Sequence, residues 1–199
     1  MKYQLLFLSL VSTVGTCLFS QRPSLAEPAP IFQPIVREIR DRLPQNFQMR
    51  LPAFLPEFTE DLQLYSFVPD DDFKIFDLGG KDVFSVLISD IPGCDRQEDL
   101  SECIVGVISV TEALSQAPLK PGDLPPDSED LTPVTLTNGA TGFYFVQDKQ
   151  AQFVVWQQDG LGYLLFSGKC EDECVSKQQL IEIATSAATE PAITSSKSN

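Results

Sequence analysis

Three short runs followed at once by a fully signalled helix constrain this chain more than any other feature. Phe143 to Val146, Phe153 to Trp156 and Tyr163 to Phe166 are rich in aromatic and β-branched residues and predict strands. Asp159-Gly160 separates the last two, and that dipeptide readily takes the positive φ angles of a two-residue type I′ hairpin turn. The polar stretch Gln147 to Gln150 joins the first two and has ordinary hairpin length. None of the runs alternates apolar with polar residues, so both faces of the resulting sheet need cover. One cover comes next in the chain. Ser176-Lys177-Gln178-Gln179 fits a capping box, flanked by Val175 and Leu180 as a hydrophobic staple. Leu180, Ile181, Ala184, Ala187 and Ala188 then recur at helical spacing and form one apolar stripe.

The remaining chain predicts more strands at Leu62 to Val68, Phe73 to Leu78, Val83 to Ile88 and Ile104 to Val110. Residues 46–58 mix Phe47, Met49, Leu51, Phe54, Leu55 and Phe58 with Pro52 and Pro56, a pattern suited to an edge strand or a covering loop. Ile35, Val36, Ile39 and Leu43 define a short amphipathic helix that ends at Pro44. Its polar face carries Arg37, Arg40 and Arg42, either a docking surface for an acidic partner or a solvated face. Lys120 to Pro133 lacks periodicity and reads as one long surface loop, and Thr189 to Asn199 reads as a disordered tail. The expected architecture is a single α+β domain over residues 27–188. An antiparallel sheet of about six to seven strands carries the C-terminal helix on one face, with the short N-terminal amphipathic helix nearby.

At the N-terminus, Lys2 precedes an uncharged apolar run from Leu5 to Phe19 and then Ser24-Leu25-Ala26, the arrangement of a signal peptide over residues 1–26. The run is shorter than the about 20 residues of a membrane span, so no span is expected in the mature chain. Thr16 before Cys17 suits a lipid-anchor signal less well than Ala26 suits cleavage. Residues 27–199 keep 12 basic against 28 acidic side chains, a net charge of −16. Such a surface repels phosphate backbones and anionic membranes, which disfavours nucleic acid as a partner. Periplasm, thylakoid lumen and extracellular medium all fit an exported chain.

Four cysteines remain after the leader: Cys94, Cys103, Cys170 and Cys174. Even parity in an exported chain predicts two disulfides, and proximity pairs Cys94 with Cys103 and Cys170 with Cys174. The spacings suit neither a zinc knuckle nor a C-x-x-C redox centre, so no metal and no cofactor is expected. Asp70-Asp71-Asp72 fails as a calcium loop because Ile75 stands where an EF-hand needs glycine.

The chain contains no histidine. Serine and cysteine nucleophiles activated by imidazole, and histidine-ligated zinc, are therefore outside its own chemistry. No catalytic residue stands out. A carboxylate pair is the remaining route to hydrolysis, but 28 acidic residues offer many pairs and spacing selects none. Three function classes follow: a non-enzymatic binding, sensing or assembly module, a carrier of a small apolar ligand under the aromatic sheet, and a histidine-free carboxylate hydrolase. The first is the main expectation, with an unknown protein as partner.

Gly142 on the first strand, Trp156 ending the second, Gly160 with Tyr163 on the third, and Leu180-Ile181-Glu182-Ile183-Ala184-Thr185-Ser186 on the helix form a recognisable order. Across residues 139–186 this order resembles a small bacterial domain of unknown function found in exported proteins and on the outer side of anti-sigma factors. The stretch from Cys170 to Cys174 before the helix is an addition to that pattern. The resemblance implies an extracytoplasmic, non-catalytic module and implies no site residues.

Overall fold

The computed structural model describes residues 28–56, 62–67, 83–96, 103–112, 114, 118–168 and 175–197. The predicted leader, the strand expected at Phe73 to Leu78, the Asp70 to Asp72 turn and the Cys170–Cys174 pair lie outside the described residues.

A 3-10 turn at Pro30–Ile35 leads into helix α1 (Val36–Arg42) and a two-residue strand β1 (Gln48–Met49). Strands β2 (Gln63–Phe67), β3 (Val83–Ser89), β4 (Ile104–Thr111), β5 (Glu129–Thr135), β6 (Thr141–Gln147), β7 (Ala151–Gln158) and β8 (Leu161–Ser167) follow. Helix α2 (Lys177–Thr189) and strand β9 (Ile193–Thr194) close the chain. The fold is α+β. Among the described residues its main sheet has seven antiparallel strands in the order β2-β3-β4-β8-β7-β6-β5, two meanders joined where β4 pairs with β8.

Local chemistry explains the hairpins and the helix start. Asp159 and Gly160 both have positive φ, 53° and 74°, as a type I′ turn requires. The β6–β7 connection is one residue tighter than the four-residue loop expected, because Gln147 still pairs with Ala151. At the head of α2, Ser176 Oγ accepts from Gln179 N at 3.3 Å while Gln179 Oε1 accepts from Ser176 N at 2.9 Å. Two orphan amides of the first turn are thereby satisfied.

Strand register sorts the side chains into two cores. On the face under α2, Phe84, Val110, Tyr163 and Trp156 form one row, and Val86, Ile108, Leu165, Val154 and Tyr144 the next. Leu180, Ile183, Ala184, Ala187 and Ala188 of α2 pack there, together with Phe32, Ile39, Leu43 and Met49 from the N-terminal segment. On the other face Phe145, Phe153 and Phe166 stack at 4.8 and 5.2 Å, with Leu119 and Leu124 laid over them. Both faces are covered because neither has a polar alternation that water could wet.

Two expectations are corrected. The Lys120 to Pro133 loop ends at Ser128, and Glu129–Thr135 continues as the edge strand β5. Pro133 lacks a donor and is tolerated only at such an edge, while the register shift between Glu129 and Thr132, with Asp130 at φ 47°, roughens it against further pairing. The tail is not free either. Thr189 completes α2, Ile193–Thr194 pairs antiparallel with Gln48–Met49, and Ser196 N donates to the Arg40 carbonyl at 2.9 Å. Ile193 is buried, and that one apolar residue anchors an otherwise Ser/Thr-rich segment.

Candidate functional site

The clearest concentration of buried polar groups lies where α2 ends. A helix leaves its last carbonyls without intrahelical donors and carries partial negative charge there. Here side chains from three other segments supply the donors. Asn138 Nδ2 and Gln158 Nε2 both donate to the Ala188 carbonyl, at 3.1 and 3.0 Å. Arg50, just after β1, donates from Nη1 to the Glu190 carbonyl, and its Nη2 lies 2.8 Å from Asp159 Oδ2. The β7–β8 turn holds Asp159 in place for that contact. Tyr163 stacks on Trp156 at 5.2 Å and donates its hydroxyl to the Gln48 carbonyl at 2.9 Å.

Burial sets the proton affinities of this cluster. Tyr163 is shifted above the ordinary phenol range chiefly by loss of solvent, with the Arg50 charge pulling the other way and Asp159 adding slightly to the rise. Burial likewise raises the Glu190 carboxyl, whose residue is only 3% exposed. Among the described residues four buried polar atoms here find no hydrogen-bond partner: Arg50 Nε, Trp156 Nε1, Gln158 Oε1 and Glu190 Oε2. Asp159 is committed to Arg50 and Glu190 is sealed from solvent, so these two carboxyls do not present themselves to a substrate as a hydrolase pair must.

Two further polar clusters, nearer the surface, also join segments. Lysine is poorly placed in the first turn of a helix, where the dipole favours anions. Lys177 is held there by Asp130, with both carboxylate oxygens at 3.1 Å, by Thr132 Oγ1 at 2.7 Å, and by the Tyr144 ring 4.6 Å below the ammonium. The Tyr144 hydroxyl is itself raised above its ordinary range, by burial first and by Asp130 second. On the other flank, Arg42 binds Glu38 at 3.1 Å and the Ser66 carbonyl at 2.5 Å, fastening α1 to β2.

Of the residues singled out from sequence, Trp156 is fully buried on the α2 face, as expected. Cys94 and Cys103 form a disulfide with Cα atoms 5.8 Å apart, both buried. The three arginines of α1 divide: Arg42 turns to Ser66, whereas Arg37 is 95% exposed on its side chain and meets Asp41 only at 4.0 Å. Arg50 and Glu190 escaped the sequence reading. The available signals were a lone cation inside the apolar stretch Met49 to Leu51 and a carboxylate at the end of an alanine-rich helix.

Between α2 and the sheet, Leu55, Ile88, Val105, Leu165, Leu180 and Ile183 surround a gap of about 20 Å³. That is room for one water-sized group, whereas small-molecule pockets run to roughly 300–1,000 Å³. Among the described residues no group of three or more His, Cys, Asp or Glu could hold a metal ion, and no helix is long and apolar enough to cross a membrane. No family model, curated protein or solved structure matches the chain.

Proposed function

We propose that this chain is an exported, non-enzymatic binding or assembly module that meets a protein partner outside the cytoplasm. One observation carries the reading: these charged side chains, Arg50 largely buried and Lys177 and Arg42 partly exposed, are engaged in joining chain segments. Arg50 ties the end of α2 to the β7–β8 turn, Lys177 ties its start to β5, and Arg42 ties α1 to β2. A catalytic site instead needs titratable groups aimed at a space that substrate can enter. The Cys94–Cys103 bond and the leader-like N-terminus support export. The order of strands and helix across residues 139–186, with its resemblance to an extracytoplasmic domain, points the same way.

Photo-crosslinking tests the reading. A crosslinkable side chain is placed at exposed Arg37, and in a second variant at exposed Asp148, and the protein is expressed in its own cells. A discrete adduct with one protein, from at least one position and in the exported fraction, is expected. No adduct from either position, together with turnover of ester, glycoside or peptide substrates by the purified chain, would overturn it.

A further inference from the structure

The carboxyl at the end of α2 sits where burial opposes its ionisation. Glu190 N donates to the Ser186 and Ala187 carbonyls at 3.1 and 3.3 Å, so the residue caps the helix at its partially negative end. Its Oε2 is buried without a hydrogen-bond partner. An ionised carboxylate there would face the helix dipole, loss of solvent and an unmet acceptor together. Loss of solvent raises its proton affinity accordingly. Immediately beyond it the chain turns into β9, which is held by two residues of pairing to β1, by Ser196 on Arg40 and Asp41 of α1, and by Gln45 Nε2, which donates to the Lys197 carbonyl at 3.3 Å.

We propose that Glu190 is a proton-operated latch: its neutral carboxyl lets residues 190–197 dock on β1 and α1, and loss of the proton releases them. No facing charge is hydrogen-bonded to the carboxyl: Arg50 Nε, the guanidinium donor left over, is itself buried without a partner among the described residues. Arg50, from the segment after β1, already gives Nη1 to the Glu190 carbonyl and Nη2 to Asp159. Asp159 on the β7–β8 turn is negative, Tyr163 on β8 is neutral, and Arg40 and Asp41 of α1 reach the tail through Ser196. Because the latched carboxyl binds its proton more tightly than the free one, docking is complete below the free carboxyl's pKa. It weakens as pH rises through the latched value. Release uncovers Ile193 and Met49, two apolar side chains that are buried while the tail is docked.

Hydrogen exchange on the full chain, disulfide intact, reads this directly. Protection factors for peptides covering residues 190–197 are compared between about pH 5 and about pH 8, after correction for base-catalysed exchange. Tail protection should fall about tenfold for each pH unit between the free and latched midpoints. Glu190→Gln, which keeps the shape without the charge, should leave the tail protected throughout. Equal slopes in both proteins, a flat wild-type profile, or protection that rises with pH because the carboxylate has taken Arg50 Nε would each overturn the latch. Should Glu190→Gln not fold, a carboxyl carbon titration of the wild type decides. A raised Glu190 midpoint that coincides with tail release supports the latch, and a midpoint in the ordinary range or without release refutes it.

Discussion

Replacing Arg50 with alanine removes the side chain on which three segments converge, and the loss can be worked out contact by contact. The hydrogen bond from a guanidinium to the Glu190 carbonyl is charge-assisted and partly buried, a class that contributes about 1.5–3 kcal/mol. The pair with Asp159 is worth less, because Asp159 is 47% exposed, and such pairs give about 0.2–1 kcal/mol. The Arg50 side chain is only 13% exposed, so its methylene stem adds roughly 1–2 kcal/mol of lost packing. Arg50→Ala should therefore destabilise the fold by about 3–6 kcal/mol. Arg50→Lys keeps stem and charge but not the forked geometry, and should lose roughly half as much. Guanidinium unfolding with the disulfide intact measures both, provided that the m-value is unchanged. A loss for Arg50→Ala below about 0.5 kcal/mol, the range of an unremarkable surface site, would refute the reasoning and leave α2 capped by Asn138 and Gln158 alone.

Trp156→Ala should cost about 3–5 kcal/mol, and native emission should be blue-shifted; emission at the wavelength of free tryptophan would show the ring exposed. Gly142→Ala should abolish β6–β7 pairing, since a Cβ there would lie 1.9 Å from the Val155 carbonyl oxygen; a native near-ultraviolet spectrum for this variant would contradict that. Removing both Cys94 and Cys103 opens a loop with a sequence separation of 9 and should lower stability by about 2–3 kcal/mol in chemical unfolding. Tyr163 binds its proton more tightly in the fold than in the unfolded chain, so its contribution is complete below the ordinary phenol pKa and declines only at higher alkalinity. Absorbance titration should therefore find two tyrosines, Tyr144 and Tyr163, that ionise late, and Tyr163→Phe should remove one of them.

What could be read from sequence depended on whether the signal was local. The β7–β8 turn and the start of α2 were legible because a dipeptide and a four-residue box each carry their own hydrogen-bonding logic. β5 was not, since Pro133 and its acidic neighbours look like loop chemistry and are acceptable in a strand only because that strand is an edge. The tail was hidden in the same way: composition marks 189–199 as polar, and the single residue Ile193 outweighs it once Met49 is opposite. Ile183 was left out of the helix stripe yet is buried with Leu180 and Ala187, because α2 sinks a broader face than a narrow stripe suggests. The Arg50–Glu190 contact joins residues 140 apart, and no local pattern could announce it. Function was least legible for the same reason, since the polar side chains are distributed among distant contacts and do not gather in a motif.

The proposal that this chain holds a partner outside the cytoplasm is tested most directly by the native mass of the chain in exported fractions. Exported fractions are separated without denaturant and the chain is followed by native mass spectrometry with its disulfide intact. The account requires a defined complex heavier than the single processed chain, which dissociates to that chain and one further protein. A chain found only as the free monomer, or retained in the cytoplasm with Cys94 and Cys103 reduced, would contradict it.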